Sequence, residues 1–237
     1  MLFRSITGSV DWGEVAPILA EEFEVIVPDC RGHGRSTDPQ GRYSFREMAA
    51  DIAALVPALD HERAHIIGHS NGGNVALVAL IEFPERVASC VAQAANAFVS
   101  PDLVERIPKK LDPDRVRREE PAWMEEMIAL HSEVHGGDYW ATLLERTALE
   151  IVSEPRYGPS DLAAVKRPVL VIEGSLDETN AVARHGRFIA EHVAGSELWE
   201  PAGVGHNVHV EVPAEWIARV RAFLVRAGAR PRGEAKR

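Results

Sequence analysis

Two hydrophobic spacings alternate along the chain, and they predict its architecture. Mainly apolar runs at residues 24–29, 64–67, 87–92 and 169–174, with Leu198 and Trp199 as a short last one, read as buried strands. Between them the apolar positions recur at helical spacing. Asp11 can cap a helix carrying Trp12, Val15, Ile18, Leu19 and Phe23, and Ser44 with Glu47 forms a capping box ahead of Met48, Ile52, Leu55, Val56 and Leu59. A third helix follows Ser70 as far as Phe83, a fourth covers residues 181–193, and a closing one runs from Pro213 through Trp216, Ile217, Val220, Phe223 and Leu224. Strands alternating with helices predict an α/β fold, with a mostly parallel, doubly wound sheet whose ligands lie beyond the carboxyl ends of the strands.

The rhythm breaks between residues 97 and 166. There the pattern is helical around Trp123, Met127 and residues 140–149, it is interrupted by Pro101, Pro108, Pro113, Pro121 and Pro155, and it offers no strand. A helical insertion ahead of the penultimate strand is expected to sit over the strand ends as a cap that shapes a substrate pocket. The organisation expected is therefore a first core part at 1–96, a cap at 97–166, a second core part at 167–228 and a disordered tail at 229–237.

Composition excludes more than it selects. A length of 237 residues suits one α/β domain with an insertion, and a net charge of −10 argues against nucleic acid as a partner in spite of the local Arg115-Val116-Arg117-Arg118 cluster. Neither a signal-peptide pattern nor a membrane-spanning apolar stretch is present, so the expected location is cytoplasmic with no membrane partner. Cys30 and Cys90 lack metal or redox spacing and are expected to be reduced, structural thiols.

The chemistry gathers at Gly68-His69-Ser70-Asn71-Gly72-Gly73, between a strand and a helix. A G-x-S-x-G there reads as a nucleophile elbow: a sharp turn lifts the serine hydroxyl above the sheet and puts the Asn71 N–H where an oxyanion can be stabilised. The alternative is a glycine turn whose Ser70 merely caps the helix. A serine needs a base, and the base needs an orienting acid. The loops after the last two strands offer Gly174-Ser175-Leu176-Asp177 and Gly205-His206, in the order serine, acid, base. His209 competes with His206 as base, while His33 and His69 flank the expected pocket. Trp123, Trp140 and Met127 either line that pocket or form the cap's own core. His131 and His135 have i, i+4 spacing but no accompanying glutamate, which reads as a solvated helix face, so neither a metal nor any other cofactor is expected.

These motifs, with Pro28-Asp29-Cys30-Arg31-Gly32-His33-Gly34-Arg35-Ser36, resemble the α/β-hydrolase superfamily over nearly the whole chain. Residues 94–99, Gly137-Asp138-Tyr139-Trp140 and Gly205-His206-Asn207-Val208-His209 are most similar to the biphenyl hydrolase-like (valacyclovir hydrolase-like) serine hydrolases. The resemblance implies a carboxylic ester hydrolase acting on a small-molecule ester, with the Ile6 N–H as the second oxyanion donor. Two departures stand out. The group's aminoacyl-ester hydrolase has an aspartate after the nucleophile where this chain has Asn71, and Arg4 and Ser5 stand where the superfamily usually reads His-Gly. Only Met1, Leu2 and Phe3 remain to build a strand expected in mid-sheet, so the N-terminal strands are expected to be missing or truncated. The same triad also serves C–C bond hydrolases of ring-cleavage dienoates and cofactor-free perhydrolases or haloperoxidases. A non-catalytic binding protein on this fold is the alternative of another class.

Overall fold

The computed structural model describes residues 11–179 and 185–230, together with the backbone of Leu2–Phe3. Five parallel strands form one sheet in the order β1 (Leu2–Phe3), β2 (Ala64–His69), β3 (Val87–Gln93), β4 (Val169–Ile172), β5 (Glu197–Trp199). The helices are α1 (Ala16–Ala20), α2 (Phe45–Ala58), α3 (Asn71–Glu82), α4 (Pro101–Lys110), α5 (Pro113–Glu119), α6 (Pro121–His135), α7 (Tyr139–Ile151), α8 (Pro159–Ala163), α9 (His185–His192), α10 (Val208–Glu211) and α11 (Pro213–Arg226).

Successive strand side chains point to opposite faces, and that period of two divides the core into two layers. Ile66, Cys90, Ala92, Val169 and Val171 pack with Met48 and Ile52 of α2, Val75 to Leu80 of α3 and Ile189 of α9. Their neighbours Ile67, Val91, Leu170 and Ile172 pack on the other face with Trp12, Leu19, Trp216, Val220 and Phe223. Both cysteines are free and buried, and burial pushes their thiols up to about 12, so they pack as apolar groups. The Ser44 hydroxyl accepts from the Glu47 N–H at 3.1 Å and starts α2, while the Glu47 carboxylate faces Arg31 at 3.4 Å.

Three expectations at the start of the chain need correction. Residues 24–29 hold no strand, and β1 lies at the edge of the described sheet instead of in its middle. Val25 and Val27 pack against one core layer and Ile26 against the other, as strand residues do. A strand also needs a backbone ladder about 4.8 Å away. Here a cleft of about 470 Å³ separates Glu24, Val25 and Ile26 from Ala64, His65 and Ile67, and β1 holds only two residues in register with Ile67 and Gly68. The helix expected from Asp11 shrinks to the five residues of α1, preceded by turns. Asp11 does not cap it, because its carboxylate is drawn to two histidines described below. The expectations for Arg4, Ser5, Ile6, residues 181–184 and the tail from 231 lie outside the described residues.

Between β3 and β4 the chain forms α4 to α8, with an apolar cluster of its own built from Leu103, Ile107, Leu111, Val116, Met127, Trp140, Leu144 and Ala148. This layer is tied to the loop after residue 29: Gly34 N–H donates to His131 Nδ1 at 2.7 Å, and Tyr139 OH donates to the Gly32 carbonyl at 2.9 Å. Tyr43 OH bridges His33 Nε2 at 3.0 Å and Thr147 Oγ1 at 2.9 Å. His131 is therefore buried and accepting, in correction of the solvated face its spacing suggested, because the neighbouring loop turns an N–H towards it. Arg115, Arg117 and Arg118 are paired with Asp114, Glu119 and Glu120, which leaves no concentrated basic surface there.

Candidate active site

β2 ends at His69, and Ser70 takes φ 56° and ψ −123° before α3 begins. A non-glycine residue in that region costs of order 1–3 kcal/mol, and its surroundings hold it there. The Ser70 N–H donates to the Gln93 carbonyl at 2.9 Å, and the Ser70 carbonyl accepts from the Asn74 N–H at 3.0 Å. Two glycines make the turn sterically open. A Cβ at Gly68 would collide with the Gly72 carbonyl, and one at Gly73 would come within 2.7 Å of the Gln93 carbonyl. The Ser70 side chain makes no capping bond to α3, so the helix-cap reading fails. Asn71 opens the twelve-residue α3, which puts its N–H at the positive end of a helix dipole.

The loops after β4 and β5 cross at Gly174, whose missing side chain admits the carbonyls of Val204 and Gly205. Leu176 N–H donates to the Val204 carbonyl at 2.8 Å, Ser175 N–H to the Pro201 carbonyl at 3.1 Å, and Gly203 N–H to Ser175 Oγ at 2.9 Å. Stitched in this way, the loops bring His206 Nδ1 to 2.8 Å from Asp177 Oδ2. The Asp177 side chain is fully buried, and its Oδ1 accepts from the Thr179 N–H at 2.9 Å. His206 keeps 22% of its side chain exposed. Glu211 supports the loop around His206 by accepting from the N–H groups of Gly205 at 2.9 Å and Asn207 at 3.2 Å.

The structure separates the remaining histidines. His209, the competitor for the base, is buried, with Nε2 at 2.9 Å from Asp11 Oδ2 and Nδ1 at 2.9 Å from Gln93 Nε2. His69 is also fully buried: its Nδ1 lies 3.2 Å from Asp11 Oδ2, its Nε2 lies 3.0 Å from the His206 carbonyl, and its ring sits 4.8 Å from that of His206. It braces the loop that carries His206 and does not line an open pocket. Burial lowers His33 to about 4, so that ring is neutral as it meets the Arg31 carbonyl and Tyr43. Trp140 is 3% exposed inside the cluster of α4 to α7, under the Arg117 guanidinium, and Trp123 packs against the same cluster. Burial, opposed by the Gly186 N–H, raises Glu173 beside the acid loop to about 7.

Among the described residues, Asp11, His69 and His209 form a cluster whose ligand atoms lie within 4.8 Å of one another. Its hydrogen bonds do not suit a metal. Trp216 Nε1–H donates to Gln93 Oε1 at 2.7 Å, which turns the Gln93 amide so that Nε2 donates to His209 Nδ1. The proton of neutral His209 is then on Nε2, the atom a cation would need bare. Nothing in the sequence pattern joined these residues. The one local signal was Gln93 itself, a polar residue closing an apolar strand.

Over 232 residues the chain is 28% identical to the human serine hydrolase BPHL, covering 92% of this chain and 75% of that protein. Over 226 residues it is 28% identical to 3-oxoadipate enol-lactonase 2 of Acinetobacter baylyi, covering 91% and 84%. A solved hydrolase from Pseudomonas aeruginosa superposes with a TM-score of 0.74 at 29% identity, covering 94% of this chain and 88% of the other. Residues 2–155 match the model of the α/β hydrolase fold family, and among the described residues no helix is long and apolar enough to cross a membrane. With that match over more than half of its length and a parallel sheet flanked by helices, the chain belongs to the α/β hydrolase fold family.

Proposed function

We propose that the protein is a serine hydrolase that cleaves small carboxylic esters, cyclic ones included, through an acyl-enzyme on Ser70. The observation that carries this reading is the bond from His206 Nδ1 to the buried Asp177 at 2.8 Å, together with a strained Ser70 whose side chain does not cap its helix. Asp177 holds the Nδ1–H tautomer, so Nε2 of His206 has the lone pair that a general base needs. Ser70 Oγ attacks the ester carbonyl as its proton passes to Nε2. The tetrahedral oxyanion is received by the Asn71 N–H, with the Ile6 N–H proposed as the second donor. Collapse returns the proton from Nε2 to the leaving alcohol. Water, deprotonated by the same nitrogen, then releases the acid and regenerates Ser70.

The relatives support the acyl-transfer class: one carries serine hydrolase in its name, and another is named for opening an enol lactone. The substrate is proposed as a small molecule because α4 to α8 form a layer tied onto the loop at Gly32 and Gly34. We assign this layer, residues 97–166, as the cap between core parts at 1–96 and 167–228. A fluorophosphonate probe, which esterifies activated serines, tests the mechanism. Labelling of the parent that is lost in both Ser70→Ala and His206→Ala is the expected result. A folded parent that stays unlabelled overturns the reading in favour of a binding protein.

A further inference from the structure

A second polar chain lies behind the triad and passes through parts of the molecule far apart in sequence. It runs from Trp216 on α11 to Gln93 on β3, His209 on α10, Asp11 ahead of α1, His69 on β2 and finally the main chain of His206. All its side chains are buried: Asp11 is 6% exposed, His69 0% and His209 1%. Proton placement follows from its fixed end. The indole is a donor only, so Gln93 presents its amide N–H to His209 Nδ1, and His209 Nε2–H must donate to Asp11 Oδ2. That oxygen already has one donor when it meets His69 Nδ1 at 3.2 Å. Hydrogen bonds to a carboxylate favour its charged form. The other His69 nitrogen faces the His206 carbonyl, which can only accept.

We propose that Asp11 and His69 form a buried ion pair in which His69 carries both ring protons, one directed to Asp11 and one to the His206 carbonyl. The pair is a positioning device. It ties the main chain of the proposed base to the residue preceding the proposed nucleophile, so that the imidazole and the Ser70 hydroxyl are held by one rigid link. Burying two charges is repaid only when further hydrogen bonds satisfy them, and here His209 Nε2–H serves Asp11 while the His206 carbonyl serves His69. His69 does not touch substrate in this arrangement, and its effect reaches the reaction through the geometry of His206. The positioning role rests on the serine-hydrolase reading above, whereas the protonation of His69 does not.

Nitrogen-15 NMR of the labelled protein at neutral pH tests the proton count directly, with the His69 signals assigned by their loss in His69→Gln. Two ring N–H protons on His69 are expected, and Asp11→Asn, which accepts but cannot balance a charge, should remove one. Asp11→Asn should also lower kcat on an aryl acetate by roughly 10- to 100-fold with KM unchanged, the size of effect that a displaced catalytic group produces. A single ring proton on His69 in the parent, or a parent-like kcat in a folded Asp11→Asn, overturns the proposal. If Asp11→Asn does not fold, the parent's ring-proton count still decides. If the parent shows no labelling by the fluorophosphonate, the hydrolase reading falls, while the NMR count independently supports or overturns the ion pair.

Discussion

Replacing Asp177 by an asparagine changes one atom, and the structure says what that atom must do. The new amide has to satisfy two neighbours at once, since Asp177 Oδ1 accepts from the Thr179 N–H at 2.9 Å and Oδ2 faces His206 Nδ1 at 2.8 Å. Turning the NH₂ towards Thr179 would oppose two donors in a fully buried place, at a cost of about 1–3 kcal/mol. The substituted side chain therefore keeps its oxygen on Thr179 and gives its NH₂ to His206. Nδ1 becomes an acceptor and the ring proton moves to Nε2, where it blocks the lone pair that Ser70 needs. Even the minority of molecules with the right tautomer lack the carboxylate that stabilises the imidazolium formed during attack, an interaction of about 4 kcal/mol at ~4 Å in a partly screened site. The two effects together amount to roughly 5 kcal/mol, or about 10,000-fold in kcat, in line with what an acid-to-amide change does in such triads. The assay is kcat of Asp177→Asn on an aryl ester alongside its rate of fluorophosphonate labelling, with circular dichroism to show that the fold is kept. A loss of less than about tenfold in a folded variant would refute the tautomer argument and with it the role given to Asp177.

The residues of the proposed triad were legible because each is marked locally. Ser70 sits between glycines that a turn requires, and Asp177 and His206 lie in glycine-containing loops just after apolar runs. Strands β2, β3 and β4 were legible for a related reason, since their mostly buried residues form short, mainly apolar runs. What the sequence hid depends on pairings at long range. Asp11 reads as a cap within its own turn, yet its partners are 58 and 198 residues away. Residues 24–29 carry a strand's pattern because Val25, Ile26 and Val27 do alternate between two cores, but apolar alternation reports burial and is silent about whether a backbone ladder is within reach. His131 at 1% exposure was hidden in the same way: its helical spacing fixes which residues share its face, while the burying loop comes from residue 34.

Gly68→Ala should abolish the elbow, because its Cβ would meet the Gly72 carbonyl and neither backbone can yield; loss of Ser70 labelling with a thermal midpoint lowered by several degrees checks this. His33, lowered to about 4 by burial, binds a proton more weakly folded than unfolded, so its contribution to stability is lost as pH falls from 6.5 towards 4. His33→Gln should flatten that acid-side decline relative to the parent, whose profile also contains Glu173 titrating in the opposite sense. Glu150 on α7 gives the last test. Both its carboxyl oxygens are buried without a hydrogen-bond partner among the described residues, and burial, with the charge of Glu154 added, raises its proton affinity well above the carboxylate norm. A carboxyl that holds its proton more tightly when folded stabilises the protein in acid and loses that contribution as the pH rises through its folded-state pKa. Gln matches its shape and does not titrate. Glu150→Gln should therefore match the parent in acid and exceed it in mildly alkaline buffer, by a margin that grows as the pH rises. Denaturant unfolding at the two pH values reads this out, and an advantage that fails to grow with pH would show that the carboxyl is not held protonated by its burial.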